Sequence, residues 1–418
     1  MQFKQVSIKK EEIPLERKLY KFYKTLGIIE DYFAFWEGVP GLSIDVLNKM
    51  FLPKIQEAKS RYEFGMHMHE MMGMLRNGHS FYYDRAFDEK REKKLGFRAF
   101  YKDDQRLWIV KESVNSDVPA GSIISNVDGK TTEMFFNEKK KYISGSSERA
   151  QRNCLFNPRY NEWLFPEGLK LKLDQGKEVN LLPNLKRSIL KNHDAREVEG
   201  RVIAYHLGYI KIPNCNTGIR YEEKALSYLN QYKDCSSLIL DLRDNTGGGT
   251  PIKLTHEIMG QRWRRANFKS TSKTTTWLQI RRLTEGWADS ITINREDLTD
   301  LDRSVFYERR KDSYKGKVII LVNEHTISAG EDFCIPFKDN GRATIIGTPT
   351  MGANGNCYSY KLDDSMIIGV GAVCCTYPDG SKFEGVGIIP DIEVSPTAED
   401  LKAGRDPILE KAIEIARR

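Results

Sequence analysis

No stretch of the sequence approaches the roughly 18 to 20 uninterrupted apolar residues that a membrane-crossing helix needs, so no membrane span is expected. The opening residues, Met1-Gln2-Phe3-Lys4-Gln5, run into charge instead of an apolar segment, so no signal peptide is expected at this end. The chain reads as cytoplasmic, or as periplasmic or secreted if a leader has been removed. Cysteine is sparse: there are seven, an odd number, and none forms a C-x-x-C pair, which argues against a zinc site of that type. Cys374-Cys375 lie in an apolar, strand-like run and read as buried free thiols, which favours a reducing compartment. Charge of one sign is also missing. Lys and Arg total 65 against 58 Asp and Glu, a net charge of +7, and the basic runs Lys139 to Lys141 and Arg262 to Arg265 are short. Such runs read as solvated faces, and nucleic acid is not an expected partner. Internal repeats and low-complexity segments are absent.

What the chain does hold is globular: 40% hydrophobic and 11% aromatic residues over 418 positions, enough for two or three domains. Leu19, Phe22, Leu26, Ile29 and Tyr32 recur at helical spacing. A second run through Phe51, Ile55 and Ala58 does the same, and a third spans about Tyr62 to Leu75. Its methionines, Met66, Met71, Met72 and Met74, read as core filler. His67, His69 and Glu70 lack the H-E-x-x-H spacing of a metal site and read as a solvated helix face.

From about Lys94 the pattern changes to short strands: Phe97 to Phe100, Leu107 to Val110 and Ile123 to Val127, with Asp128-Gly129 as a tight turn. Lys186 to Gly200 is polar and reads as a linker. Beyond it, strand and helix signals alternate, as in an α/β domain. Leu238 to Leu242 and Val318 to Val322 fit strands buried on both faces. Helices are expected over Tyr221 to Tyr232, Pro251 to Met259 and Asp332 to Lys338. Phe268 to Lys315 turns polar and reads as an excursion from the core.

Two strand ends could carry chemistry. After Val318 to Val322, the residues Asn323-Glu324-His325-Thr326-Ile327 lead into Ser328-Ala329-Gly330-Glu331, a small-residue turn that opens a helix. Such a turn presents a hydroxyl at the carboxyl end of a strand and aims free helix amides at the same point. A serine in that position also serves as an ordinary N-cap. The second is Asp241-Leu242-Arg243-Asp244-Asn245-Thr246-Gly247-Gly248-Gly249, whose glycines let backbone amides face a cleft. It lacks the Gly-Lys-Ser/Thr of a phosphate loop and the G-x-G-x-x-G of a dinucleotide fingerprint.

Together these segments resemble the C-terminal-processing and tricorn-core serine peptidases. Asp241 to Gly248 is similar to their D-x-R-x-N-x-G-G signature, and Ser328-Ala329-Gly330-Glu331 to their nucleophile turn. Ala343 to Gly352 resembles the R-A-x-x-[IV]-G-x-x-T-x-G segment, and Glu384 to Ile392 the closing E-G-x-G-[IV]-x-P-D motif. The resemblance implies an N-terminal helical domain over 1–93, a PDZ-like β-rich domain over 94–190, and an α/β tricorn-core catalytic domain of crotonase/ClpP-like type over 200–418. Val118 to Gly129 carries the PDZ resemblance, with Ser122 in place of the usual acid.

Ser328 is the implied nucleophile. The processing branch places a lysine base in T-x-G-K-G about 25 residues later; here 353 − 328 = 25, and the position is Ala353. A serine still needs a base, and histidine titrates in the useful range. His79 follows Gly78 in a segment like the L-x-D-G-H-[ST] of the tricorn-like branch, where the histidine is the base, with Asn77 in place of Asp. Glu384 is the implied acid that orients it, with Glu331 and Asp379 as rivals. The amides of Ala329 and of Gly248 or Gly247 are implied oxyanion donors. His325 lines the site or packs, and Ser80 follows His79, whereas the accessory serine of that branch precedes it. No metal or organic cofactor is expected; the expected partner is a peptide or unfolded protein. The alternative is a non-catalytic protein that binds apolar ligands or peptides on the same fold, because interphotoreceptor retinoid-binding protein also resembles this core.

Overall fold

The computed structural model describes residues 11–89, 93–158, 162–183, 185–186, 197–204, 206–216, 220–274, 276–278, 300–302 and 306–418. Most of the expected linker and of the polar excursion lies outside them.

The helical beginning consists of α1 (Leu15–Tyr32), α2 (Ile44–Glu57) and α3 (Arg61–Met74). Ser43 and Ser60 cap the last two, accepting from the amides of Val46 and Glu63. The helical spacing of Phe22, Leu26, Ile29, Phe51 and Ile55 is core spacing: all are buried. Met68, Met71 and Met72 are buried with them. The expected solvated face is different for His69, which is buried and stacks on Trp163 with ring centroids 3.5 Å apart. Aromatic packing takes that position out of water, while His67 and Glu70 stay partly exposed. After α3 the chain turns through Asn77 to Ser80 into strand β1 (Phe81–Asp84).

The β-rich segment holds β2 (Phe97–Lys102), β3 (Leu107–Ser113) and β4 (Ile123–Val127), then helix α4 (Glu148–Leu155), then β5 (Leu169–Leu173) and β6 (Glu178–Leu181). The strands form an antiparallel sheet in the order β2-β3-β4-β5-β6. Asp128-Gly129 makes the expected tight turn, with φ of 49° and 76°, the positive angles that a two-residue hairpin loop requires. β2 is an edge strand whose outward amides are taken. The Ala99 amide donates to the Phe156 carbonyl at 3.4 Å, and the Tyr101 amide to Asn153 Oδ1 at 2.8 Å.

The C-terminal half is built on β7 (Glu199–Ala204), β8 (Leu207–Lys211), α5 (Tyr221–Gln231), β9 (Ser237–Asp241), α6 (Ile252–Met259), β10 (Lys317–Val322), α7 (Ala329–Asp339) and β11 (Thr344–Gly347). Strands β12 (Cys357–Lys361), β13 (Met366–Gly371), β14 (Val373–Thr376) and β15 (Ile392–Glu393) and helix α8 (Pro407–Arg417) complete it. The main sheet runs β7-β8-β9-β10-β11-β15, parallel from β8 onward. Leu238, Leu240, Val318 and Ile320 pack with residues of α5, α6 and α7, while Ile239, Ile319 and Leu321 pack with Ile408 and Ala412 of α8. Burial on both faces is why β9 and β10 read as unbroken apolar runs. Helix α7 starts immediately after Ser328, three residues before its expected start.

β1 pairs with β13, so the segment after the first helices joins a sheet made by residues more than 280 positions later. One core runs through α1 to α3, the β-rich segment and residues 351–370. Residues near 79 are thereby anchored beside the second half of the chain. Ile320 is fully buried in β10, so Ile320→Ala should lower unfolding stability by about 3 kcal/mol, measured by urea denaturation with an unchanged m-value.

Candidate active site

Every residue singled out at the two strand ends sits at the carboxyl end of the parallel sheet, which is where open α/β sheets form clefts. Asp241 closes β9. It is buried and accepts from the Tyr209 hydroxyl at 2.7 Å and from the Arg243 guanidinium at 2.6 Å, and Arg243 also reaches Asp406. The Arg243 cation beside it holds the Asp241 carboxyl below its usual range against burial. Asn245 shapes the next turn: its Nδ2 donates to the Ile212 carbonyl at 2.8 Å and its Oδ1 accepts from the Gly247 amide at 2.9 Å. Its carbonyl accepts from the Ile327 amide at 3.0 Å, which ties the glycine turn to the serine turn. The motif residues Asp241, Arg243 and Asn245 are therefore the frame of the turn.

Gly247 has φ +82°, and a Cβ placed there would lie 2.7 Å from Ser328 Cβ and 3.1 Å from its Oγ. The glycine turn thus lies directly on the serine side chain. Of the two candidate oxyanion amides there, Gly247 is committed to Asn245. The amides of Gly248 and Ala329 find no acceptor among the described residues.

Ser328 has φ 58° and ψ −123°, an angle pair that costs a non-glycine residue about 1–3 kcal/mol. It does occupy the N-cap position of α7, and its backbone is held from both sides. Its amide donates to the Ala353 carbonyl at 3.0 Å and to Glu331 Oε2 at 3.1 Å, and its carbonyl accepts from the amides of Glu331 and Asp332 at 2.8 Å. Glu331 is fully buried and also accepts from Thr350 Oγ1 at 2.5 Å and from the amides of Gly352 at 2.7 Å and Ala353 at 3.0 Å. Burial pushes its carboxyl up to about 7, opposed by those donors. Its lone pairs are spent on the loop at 350–353, so it is not free to orient a histidine. Asp379 accepts from the amide of its neighbour Ser381 in an exposed turn.

His79 approaches from the other side. A Cβ on Gly78 would lie only 2.6 Å from Ala353 Cβ, so the turn carrying His79 rests on the Ala353 methyl. The ring of His79 makes no hydrogen bond to a described residue, and burial lowers it to about 4. Its backbone amide donates to Asn77 Oδ1 at 3.0 Å. Ser80 faces away: buried, it donates to Asn77 Oδ1 at 3.1 Å and accepts from the Gly371 amide at 3.0 Å, pinning the turn to β13.

Glu384 closes the arrangement. Its Oε1 accepts from Asn77 Nδ2 at 2.6 Å and from the Ser146 hydroxyl, while its buried Oε2 has no hydrogen-bond partner. Burial raises its carboxyl to about 8. His325 is placed elsewhere: buried 3.3 Å from Asn157 Nδ2 and 3.7 Å from Glu324, and lowered by burial to about 4. It belongs to a charged cluster in which Arg98, buried in β2, pairs with Glu112 and Asp244, and Lys111 pairs with Glu324. That cluster fastens the β-rich segment to the two strand ends. The expected list lacked Ser146, Thr350, Asn245 and this cluster. Gly145-Ser146-Ser147 reads only as a helix start, and Ser147 does cap α4.

Residues 206–394 match the profile of peptidase family S41, a span that holds Ser328, Gly248 and Glu384 but not His79. The chain is 32% identical over 104 residues to the tricorn protease of Thermoplasma acidophilum, covering 24% of this chain and 10% of that protein. It is 22% identical over 421 aligned positions to putative tricorn protease homolog 2 of Streptomyces coelicolor, covering 91% of this chain and 31% of that one. To the chloroplastic carboxyl-terminal-processing peptidase 2 of Arabidopsis thaliana it is 26% identical over 283 residues, covering 65% and 45%. The chain thus spans less than half the length of these relatives. Among solved structures it is similar to mature CPAF complexed with lactacystin, with a TM-score of 0.70 at 15% identity over 96% of this chain and 98% of that one, a likeness of fold. Residues 206–394 thus match the S41 peptidases, the sequence relatives are tricorn-like and carboxyl-terminal-processing peptidases, and the mixed α/β fold of the chain is similar to that of mature CPAF.

Because a side chain at 247 would push against Ser328, Gly247→Ala should slow labelling of Ser328 by a fluorophosphonate roughly 100-fold. Mass spectrometry of the time course checks this.

Proposed function

We propose that the protein is a serine endopeptidase that cleaves peptides or unfolded proteins through an acyl-enzyme. The observation that carries this reading is the close packing of the Gly247 turn on Ser328, together with the amides of Gly248 and Ala329, which find no acceptor among the described residues. Ser328 Oγ attacks the scissile carbonyl carbon while His79 takes its proton. The resulting oxyanion is held by the Ala329 and Gly248 amides. As the C–N bond breaks, His79 returns the proton to the leaving amine, and a water activated by the same imidazole releases the acyl group. Glu384 orients His79 through Oε2. That the His79 ring bonds to no described residue fits sites whose catalytic hydrogen bonds tighten only with substrate bound.

The segment from β2 to β6 with α4 is read as PDZ-like, and the half built on β7 to β15 as the crotonase-like catalytic domain. Peptide addition to β2 would have to break the Ala99 and Tyr101 bonds. The substrate peptide is therefore assigned to the cleft at Ser328, not to that strand.

Two outcomes are expected. Ser328→Ala should lower the rate of cleavage of unfolded casein by a factor on the order of 10⁴ to 10⁶, and wild-type turnover by that variant rules the mechanism out. The pH profile follows from the two shifted groups. His79 must be neutral to accept a proton, which holds above about 4. Glu384 must be ionised to stabilise the imidazolium, which its raised value delays to about 8. Hence kcat/KM should climb with pH through about 8; a limb at 6.5, the ordinary histidine value, contradicts this assignment.

A further inference from the structure

We infer that Ser146 and Asn77 form a clamp that makes Oε2 of Glu384 the oxygen available to His79, which makes Ser146 a positioning residue of the catalytic site. This inference rests on the peptidase reading above and goes beyond it, because Ser146 lies in the β-rich segment, outside the span that matches the peptidase family.

The geometry is specific. Asn77 Nδ2 and the Ser146 hydroxyl both donate to the same carboxylate oxygen, Oε1, and Oε2 is left buried without a partner. A buried carboxylate oxygen without a donor costs free energy, so a donor arriving from the histidine ring is favoured there. Ser146 also accepts from the Gly78 amide at 2.9 Å, one residue before His79. One hydroxyl therefore ties the base turn and the acid together. The Ser146 carbonyl also abuts the residue after the acid, lying 2.6 Å from where a Cβ on Gly385 would be. Asn77 is likewise two-sided: its Oδ1 holds the His79 amide and its Nδ2 holds Glu384. An ionised aspartate at 77 would have no hydrogen to give, and would set two carboxylates against each other. The asparagine is what this arrangement requires.

The titratable groups that face Glu384 are Glu331 from α7 and the Cys374 and Cys375 thiols of β14. Burial and the carboxylate of Glu331 oppose ionisation of Glu384, and the two donors of the clamp and the Asn354 amide favour it. Removing a donor should thus make Glu384 harder to ionise and move the acid limb of kcat/KM upward.

The test uses the full chain with unfolded casein as substrate. Ser146→Ala should move the acid limb up by about one pH unit, since a hydrogen bond to a charged group is worth roughly that. At pH 7 this is about a tenfold loss of kcat/KM, recovered at high pH. Ser146→Thr, which keeps the hydroxyl, should restore the wild-type limb. Asn77→Asp should move the limb further up than Ser146→Ala, and it carries the test alone if Ser146→Ala does not fold. A purely structural role for Ser146 lowers kcat/KM equally at every pH, and that result, or an unmoved limb in both variants, overturns the clamp. Wild-type turnover by Ser328→Ala would instead overturn the peptidase reading itself, so the two failures are distinguishable.

Discussion

The Glu331 carboxylate is the fixed point of the site. Fully buried one helical turn after Ser328, it accepts from the Ser328 amide, the Thr350 hydroxyl and the amides of Gly352 and Ala353. A single side chain thereby joins the start of α7 to the loop at 350–353. That loop presents its Ala353 carbonyl to the Ser328 amide and its Ala353 methyl to Gly78. Remove the carboxylate, and the buried amides of Gly352 and Ala353 and the Thr350 hydroxyl lose their acceptor, at a cost of about 1–3 kcal/mol for each group left unpaired. The strained backbone at Ser328 persists because this network holds it from both sides.

A second layer rests on that frame. The glycine turn after β9 is shaped by Asn245 and joined to the serine turn by the bond between the Ile327 amide and the Asn245 carbonyl. From the opposite side, β1 pairs with β13, Ser80 bonds to Gly371, and the histidine turn comes to rest on Ala353. The Arg98 and Asp244 pair then fixes the β-rich segment to the same strand ends. Buried charges of this kind are kept only when paired, so the β-rich segment and the strand ends of β9 and β10 hold one another in register.

Much of this was legible in the sequence wherever the physics is local. The apolar runs of β9 and β10 named strands covered on both faces, and Asp128-Gly129 named its hairpin. The glycines at 247 and 248 named a turn that brings backbone close to a side chain. The reading went astray where packing overrides local pattern. His69 looked like a solvated helix position until Trp163 covered it. Gly247 and Gly248 read alike along the chain, and the structure differs between them in that the Gly247 amide donates to Asn245 Oδ1. Glu331 looked like a rival acid because it is near Ser328 in sequence, yet its lone pairs point at the 350–353 loop.

The sequence by itself determined the element types, the small-residue turn at Ser328 and the alanine at 353, because each depends on residues within a few positions of one another. Only the tertiary structure decided how the turn carrying His79 and the Glu384 carboxyl are held. Asn77 and Glu384 stand 307 positions apart, and Ser146 and Glu384 stand 238 apart. No periodicity or spacing carries information over such separations. It is the pairing of β1 with β13 and the packing of one continuous core that bring them within hydrogen-bonding reach.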